Sequence, residues 1–380
     1  VKHFGFLFVL LALTVPASGR SLPFYVGTST SDSSSKGIYE GTLNTETGEL
    51  SLAGPLALAE NATFLALSPD GRHLYAAEEL PGGGCVQAFS QEVNGRLDAL
   101  NKQAVKGSGT CFVSVDATGH DVFLANYGSG SIACVQVKPD GSLVDATAFA
   151  QFTGSGPNIS RQQTPHAHSI YASPDNAFVY ACDLGTDRIY IFKLDAARGT
   201  LVAGDPAFAT VPPGSGPRHI AFSLKGDFVY VANEMGNSVT VFSRNAVTGA
   251  LNSLQTISTL VSGTPDPKVT TGEIVLHPSG KWLYVSNRTI DTISVFSIGT
   301  DGLLKLIQST SSVVKFPRNF ALDPTGQWLL AAGQKDNRIA VLKIDTASGK
   351  LTATPHEAEV GSPMCILFEG KLRWLEGFVR

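Results

Sequence analysis

One grammar recurs six times along this chain, and no other feature restricts its fold as strongly. Each copy runs from an apolar strand through a Pro/Asp/Gly-type turn to a second strand ending in Tyr or another hydrophobe, then a polar corner and a third strand. The copies are "FLALSPDGRHLYAAEE", "FVSVDATGHDVFLANYGSGSIACVQV", "SIYASPDNAFVYACDLGTDRIYIFKL", "HIAFSLKGDFVYVANEMGNSVTVFSR", "EIVLHPSGKWLYVSNRTIDTISVFSI" and "NFALDPTGQWLLAAGQKDNRIAVLKI". Their turns end at Gly71, Gly119, Asn176, Gly226, Gly280 and Gly326, so the pattern returns at intervals of 48, 57, 50, 54 and 46 residues.

The segments alternate or are continuously apolar over about five residues, the signature of half-buried or fully buried strands. The turn residues supply the positive φ values that tight hairpins need. A period near 50 made of short antiparallel strands is that of propeller blades. The two ends complete one more copy: "FYVGTSTSDSSSKGIYEGTL" reads as the middle strands of a blade and "GSPMCILFEGKLRW" as its missing first strand. Sewing one blade from both termini closes the ring and removes an open sheet edge. The expectation is an all-β, seven-bladed β-propeller, with segments such as "NAVTGALNSLQTI" forming the outer fourth strands. Residues 20–380 then form a single domain, although 380 residues alone would suggest two or three.

The first residues, "VKHFGFLFVLLALTVPASGR", place Lys2 before an apolar run from Phe4 to Val15 and small residues at Ala17-Ser18-Gly19. This is the layout of a removable export signal over residues 1–19, and the run is too short for a comfortable bilayer span. The expected location is therefore exported, periplasmic or secreted, with no membrane span after signal removal, and cytoplasmic if the signal is not used. A net charge of -4 gives no basic field for nucleic acid or an acidic membrane surface, which leaves small molecules as the expected partners. The five cysteines (Cys85, Cys111, Cys134, Cys182, Cys365) show neither CxxC nor paired-His spacing, so burial is their expected fate; no metal and no cofactor is expected.

In a propeller the first strand of each blade lines the central channel, so residues just ahead of it and at the corner after the second strand gather at the channel mouth. Aligning the copies puts Arg218 and Arg318 at one position in two blades, with His168 one residue further along in another. At the corner, Asn126, Asp183, Asn233 and Asn287 match, as turn-capping residues should. Their neighbours differ: Tyr127, Leu184, Glu234, Arg288 and Gln334. Glu234 and Arg288 have no architectural duty that Leu184 could not perform. His168, Arg218, Glu234, Arg288 and Arg318 would thus set an imidazole, a carboxylate and three guanidiniums around one mouth. Three arginines around one glutamate stay uncompensated until an anion arrives, so an acidic small molecule is implied. His219 should point away from Arg218 along the strand and pack as a hydrogen-bonded core histidine. His166 is the reserve imidazole, while Asp70, Lys225 and the Gly-rich "PGGGC" at 81–85 read as solvated turns.

At these residues the chain resembles the seven-bladed lactonases that include propeller-type 6-phosphogluconolactonase and carboxy-cis,cis-muconate cyclase. The likeness runs from about Phe24 to Phe368 and is most specific in "GPRHIAF", "VYVANEMGNSVTVF", "YVSNRTIDTISVFSI" and "PRNFALDPTGQWLLAAGQK". The resemblance implies His168, Arg218, Glu234 and Arg288 as catalytic residues, Arg318 and Gln334 as substrate contacts, and no metal. It implies hydrolysis of a small acidic lactone, with His168 or Glu234 as general base and the other as proton donor. A cycloisomerase-type opening or closing of a muconate-like lactone uses the same parts, and a non-catalytic exported propeller is the reading from another class.

Overall fold

The computed structural model describes residues 21–31, 33–80, 83–93 and 95–369. The expected export signal lies outside these residues. Twenty-eight strands form seven four-stranded antiparallel sheets, and no helix occurs among the described residues. Numbered from the first complete copy, blades 1 to 6 span 62–105, 110–151, 167–210, 217–258, 271–311 and 317–359. Blade 7 is sewn from both ends: its innermost strand is Pro363–Phe368, which pairs with Ser21–Thr28 and is followed outward by Gly37–Asn44 and Leu50–Leu58. Glu369 extends this closure, since its N–H donates to Pro23 O and its carboxylate accepts the Tyr25 hydroxyl at 2.6 Å.

The core lies between blades rather than inside one layer. One cluster joins Tyr180, Ile189 and Ile191 of blade 3 to Ile220, Val229, Val231 and Phe242 of blade 4, all buried. Second-strand tyrosines pin three of the joints by reaching a hairpin carbonyl of the next blade: Tyr75 to Gly141 at 3.2 Å, Tyr180 to Gly249 and Tyr284 to Gly349 at 2.8 Å. Sheets packed face to face around a ring bury both faces, which is why these strands are continuously apolar. All five cysteines are buried and free. Burial pushes the thiols of Cys111 and Cys182 up to about 12, far from reactive thiolates. The "PGGGC" stretch departs from expectation: Gly83, Gly84 and Cys85 belong to a strand, because the long hairpin of blade 1 pairs Glu79 with Gly84 and Glu78 with Cys85.

The innermost strands carry the feature that positions the site. In each, register with the second strand skips at one place: between Ala62 and Phe64, Thr110 and Phe112, Ala167 and Ser169, Pro217 and His219, and Pro317 and Asn319. Blade 7 does the same at Met364, and blade 5 leaves two residues, Gly272 and Glu273, unmatched. A β-bulge adds a residue to one strand and re-aims its side chain. The ring of bulge positions is therefore Thr63, Cys111, His168, Arg218, Gly272, Arg318 and Met364.

Candidate active site at the channel rim

This ring corrects two sequence expectations. His168 is not one residue out of step with Arg218 and Arg318 but occupies the same bulge. His219 does not point away from Arg218, because a bulge cancels the strict alternation of a strand. Arg218 Nη1 lies 3.4 and 3.3 Å from the two ring nitrogens of His219, so the guanidinium rests against the imidazole. His219 is nonetheless buried and hydrogen-bonded as expected: Nδ1 meets Glu273 Oε1 at 2.8 Å, and Asn319 Nδ2 donates to Glu273 Oε2 at 2.7 Å. The rings of Phe64 and Phe112 enclose it, with centroids at 5.7 and 5.2 Å. Glu273 and Asn319 also line an apolar cavity of about 560 Å³, together with Phe64, Phe112, Tyr171 and Val275.

Local sequence explains how Arg218 and Glu234 meet. In "GSGPRHIAF" the backbone reverses at Gly214 and Gly216, which have φ of 81° and 63°. Both amides donate to the carboxylate of Asp187, at 2.7 and 2.8 Å. The carbonyl of Gly216 then accepts the amide of Glu234 at 2.7 Å, tying the corner after the second strand to the start of the first. The matched corner residues are structural: Asn233 Nδ2 donates to Ser238 and Thr240, and Asn287 Nδ2 to Thr292 and Ser294.

Glu234 is the hub. Its Oε2 lies 2.7 Å from Arg288 Nη2, 3.2 Å from Arg218 Nε and 4.0 Å from His168 Nε2. Its Oε1 is 2.7 Å from Arg161 Nη2, a residue the repeat comparison missed because it lies in the connection between blades 2 and 3. The 57-residue interval, the longest in the chain, is the trace this insertion leaves in the sequence. Arg161 also donates to the Tyr127 hydroxyl at 3.1 Å. His166 stacks on Tyr127 at 4.5 Å and bonds its carbonyl through Nδ1 at 3.0 Å, so it adjoins the cluster through that ring. Arg318 makes no hydrogen bond or ion pair among the described residues, and the buried Oε1 of Gln334 likewise has no partner there. His168, Arg218, Glu234, Arg288 and Arg318 thus converge, while His166 and Gln334 sit at their edge.

Electrostatics follow from burial and charge. Burial would raise the Glu234 carboxyl, but Arg288, Arg218 and Arg161 overcome it and hold it at about 2. Burial lowers His168 well below the usual histidine value, and Arg218 pushes the same way, so the imidazole is neutral at neutral pH. Burial also lowers Arg318, as does repulsion from Arg288. Cys111 faces His168 with Sγ 4.0 Å from Nδ1 and donates to its carbonyl. Among the described residues no group of three or more His, Cys, Asp or Glu is placed to hold a metal. The rim therefore offers an ionised carboxylate beside a neutral imidazole, inside an excess of guanidinium charge.

Comparison with known proteins agrees with this geometry. The family model described as "Lactonase, 7-bladed beta-propeller" matches residues 23–368. The chain belongs to that family. A 6-phosphogluconolactonase of Bacillus subtilis is 35% identical over 347 residues, covering 90% of this chain and 97% of the relative. Among solved structures, a putative 6-phosphogluconolactonase from Bacteroides fragilis superposes with a TM-score of 0.85 at 34% identity, covering 93% of this chain and 99% of that one. The periplasmic gluconolactonase of Pseudomonas aeruginosa gives 0.85 at 32%, covering 92% and 99%. The family spans both the ring of blades and the closing blade, so the propeller and the lactonase membership stand together.

Proposed function

We propose that this protein is a lactonase, a carboxylic-ester hydrolase that opens an acidic sugar lactone of the 6-phosphogluconolactone type at the channel rim. The observation that carries the reading is Glu234, ionised and 4.0 Å from a neutral His168, surrounded by arginines of which Arg318 lacks a counter-ion. In this reading the Glu234–His168 pair takes a proton from water as its oxygen attacks the lactone carbonyl. Arg218 and Arg288 face the oxyanion that develops, a contribution of roughly 3 kcal/mol for each well-aimed donor. The C–O bond to the ring oxygen then breaks, the same pair returns the proton to that oxygen, and a hydroxy acid leaves. Arg318 holds the acidic substituent, with Gln334 and His166 at the edge of the ring.

The proposed location is outside the cytoplasm. The first 19 residues have the layout of a signal, and the similar Pseudomonas aeruginosa protein is described as periplasmic. No helix among the described residues is long and apolar enough to cross a membrane. Protein recovered from the native host should begin near Arg20; an intact Val1 would refute export. The catalytic reading is tested by following acid release from phosphorylated, carboxylated and neutral δ-lactones. Turnover of an anionic δ-lactone that falls by 10²–10⁴ in His168→Ala supports it. A wild-type protein that opens none of these above background overturns it.

A further inference from the structure

Glu234 poses a chemical difficulty that the rim geometry also resolves. A carboxylate clasped by three guanidiniums is a feeble proton acceptor, because each positive charge favours the ionised form. One of the three must leave before Glu234 Oε1 can receive a proton. Oε1 is the oxygen held by Arg161 alone, whereas Oε2 is shared by Arg218 and Arg288.

The three arginines are not held alike. Arg218 is buried and also donates to Gly272 O at 2.8 Å; Arg288 is buried and donates to Thr271 O at 3.2 Å. Arg161 has a side chain 37% exposed, and its other partner is the neutral hydroxyl of Tyr127. Its backbone is nevertheless fixed. The Arg161 amide donates to Asn158 O at 3.1 Å, and the adjoining Gln162 is fully buried. Gln162 donates to Leu184 O and Asp187 Oδ1, both at 2.8 Å. The side chain can therefore swing while its Cα stays in place. It also sits in the longest connection between blades, residues 152–166.

We infer that Arg161 is a substrate-operated latch: the anionic group of an incoming lactone draws the Arg161 guanidinium off Glu234 Oε1, and this release makes Glu234 the general base. The inference rests on the lactonase reading and deepens it by making the anion a requirement for the chemical step as well as for binding. Charge is conserved in the exchange, since Arg161 trades one anion for another. A proton then passes from water to Oε1 as the water oxygen bonds to the carbonyl carbon. The carbonyl electron pair moves onto the oxygen facing Arg218 and Arg288, and Oε1–H protonates the ring oxygen as its bond to carbon breaks. The groups facing Glu234 throughout are Arg218 and His168 from the innermost strands of blades 4 and 3, Arg288 from blade 5, Arg318 from blade 6 and Tyr127 from blade 2. Glu273 lies one layer deeper.

The test uses Arg161→Gln and Arg161→Lys with a matched pair of δ-lactones, one anionic and one neutral but of the same ring. In wild type the anionic lactone should have the higher kcat by about tenfold or more. In Arg161→Gln the kcat for the neutral lactone should rise, so that the ratio collapses toward one, and Arg161→Lys should restore part of it. An Arg161→Gln variant that changes only KM for the anionic lactone would make Arg161 a binding contact alone; equal loss of kcat on both would make it a structural one. A second readout is independent of turnover. The Glu234 carboxyl band, assigned by infrared difference against Glu234→Gln, should titrate at higher pH when inorganic phosphate is added to wild type, and phosphate should leave it unmoved in Arg161→Gln. If phosphate does not move the wild-type band, the latch is refuted whatever the rates. If it does and no lactone is opened, the lactonase reading fails while the latch stands.

Discussion

Glu234→Gln isolates the charge balance on which the rim depends. The substitution keeps shape and removes the one anion that Arg161, Arg218 and Arg288 share at 2.7, 3.2 and 2.7 Å. Despite burial, those arginines hold the carboxyl at about 2 rather than 4.5. That displacement corresponds to about 3 kcal/mol of folding stability carried by the ionised form. The sign is that of a depressed acid: the contribution is present above pH 4.5 and is lost as pH falls toward 2. Urea unfolding followed by the fluorescence of the buried Trp282 and Trp328 should place Glu234→Gln about 3 kcal/mol below wild type at pH 7, with the gap narrowing at pH 3. Phosphate should stabilise the variant more than wild type, since it meets arginines left without an anion. Equal stability at pH 7 within about 0.5 kcal/mol would refute the argument, because a buried guanidinium cluster without its counter-ion cannot be neutral in energy.

Further outcomes follow from the same geometry. Arg318→Gln removes a half-buried charge that has no ion-pair partner among the described residues, so folding stability should hold or rise by about 1 kcal/mol while KM for an anionic lactone rises tenfold or more, measured by unfolding and initial rates. Burial lowers His219 to about 4 even against Glu273, so the folded state binds fewer protons than the unfolded one below pH 6.5. Stability should therefore fall as pH drops from about 6.5 to 4, by about 3 kcal/mol, and His219→Gln should flatten that slope in urea titrations. Ending the chain at Ser362 removes the innermost strand of blade 7, with its buried Met364, Cys365 and Ile366, and leaves Ser21–Thr28 as an uncovered sheet edge; soluble, cooperatively unfolding protein should be lost in size-exclusion and melting assays.

Much of this molecule is written in its repeats. The hairpin turns at Gly71 to Gly326 and the split seventh copy fix the blade count and the closure, because propeller blades must bury both faces against like neighbours. The corner residues Glu234 and Arg288 stand out for the same reason: where six copies can be superposed, a residue without an architectural duty is visible. What stayed hidden depends on backbone detail that no periodicity encodes. The bulge at Arg218 is a local slip of register, so alternation misplaces His219 and offsets His168, although the ring of seven bulges puts His168 and Arg218 at equivalent positions. Arg161 escaped for the opposite reason. It lies in an insertion that no other copy shares, and a comparison between copies has nothing to set beside it.

The most direct test of the account follows the oxygen. Wild-type protein and Glu234→Gln, both shown to be folded, are given an anionic δ-lactone in water enriched in ¹⁸O, and the product is weighed by mass spectrometry. The account predicts that wild type forms the ring-opened acid with one ¹⁸O in its carboxylate and that Glu234→Gln forms it 10²–10⁴ times more slowly. Lactone consumed by wild type without label, or labelled at the wild-type rate by Glu234→Gln, would contradict it.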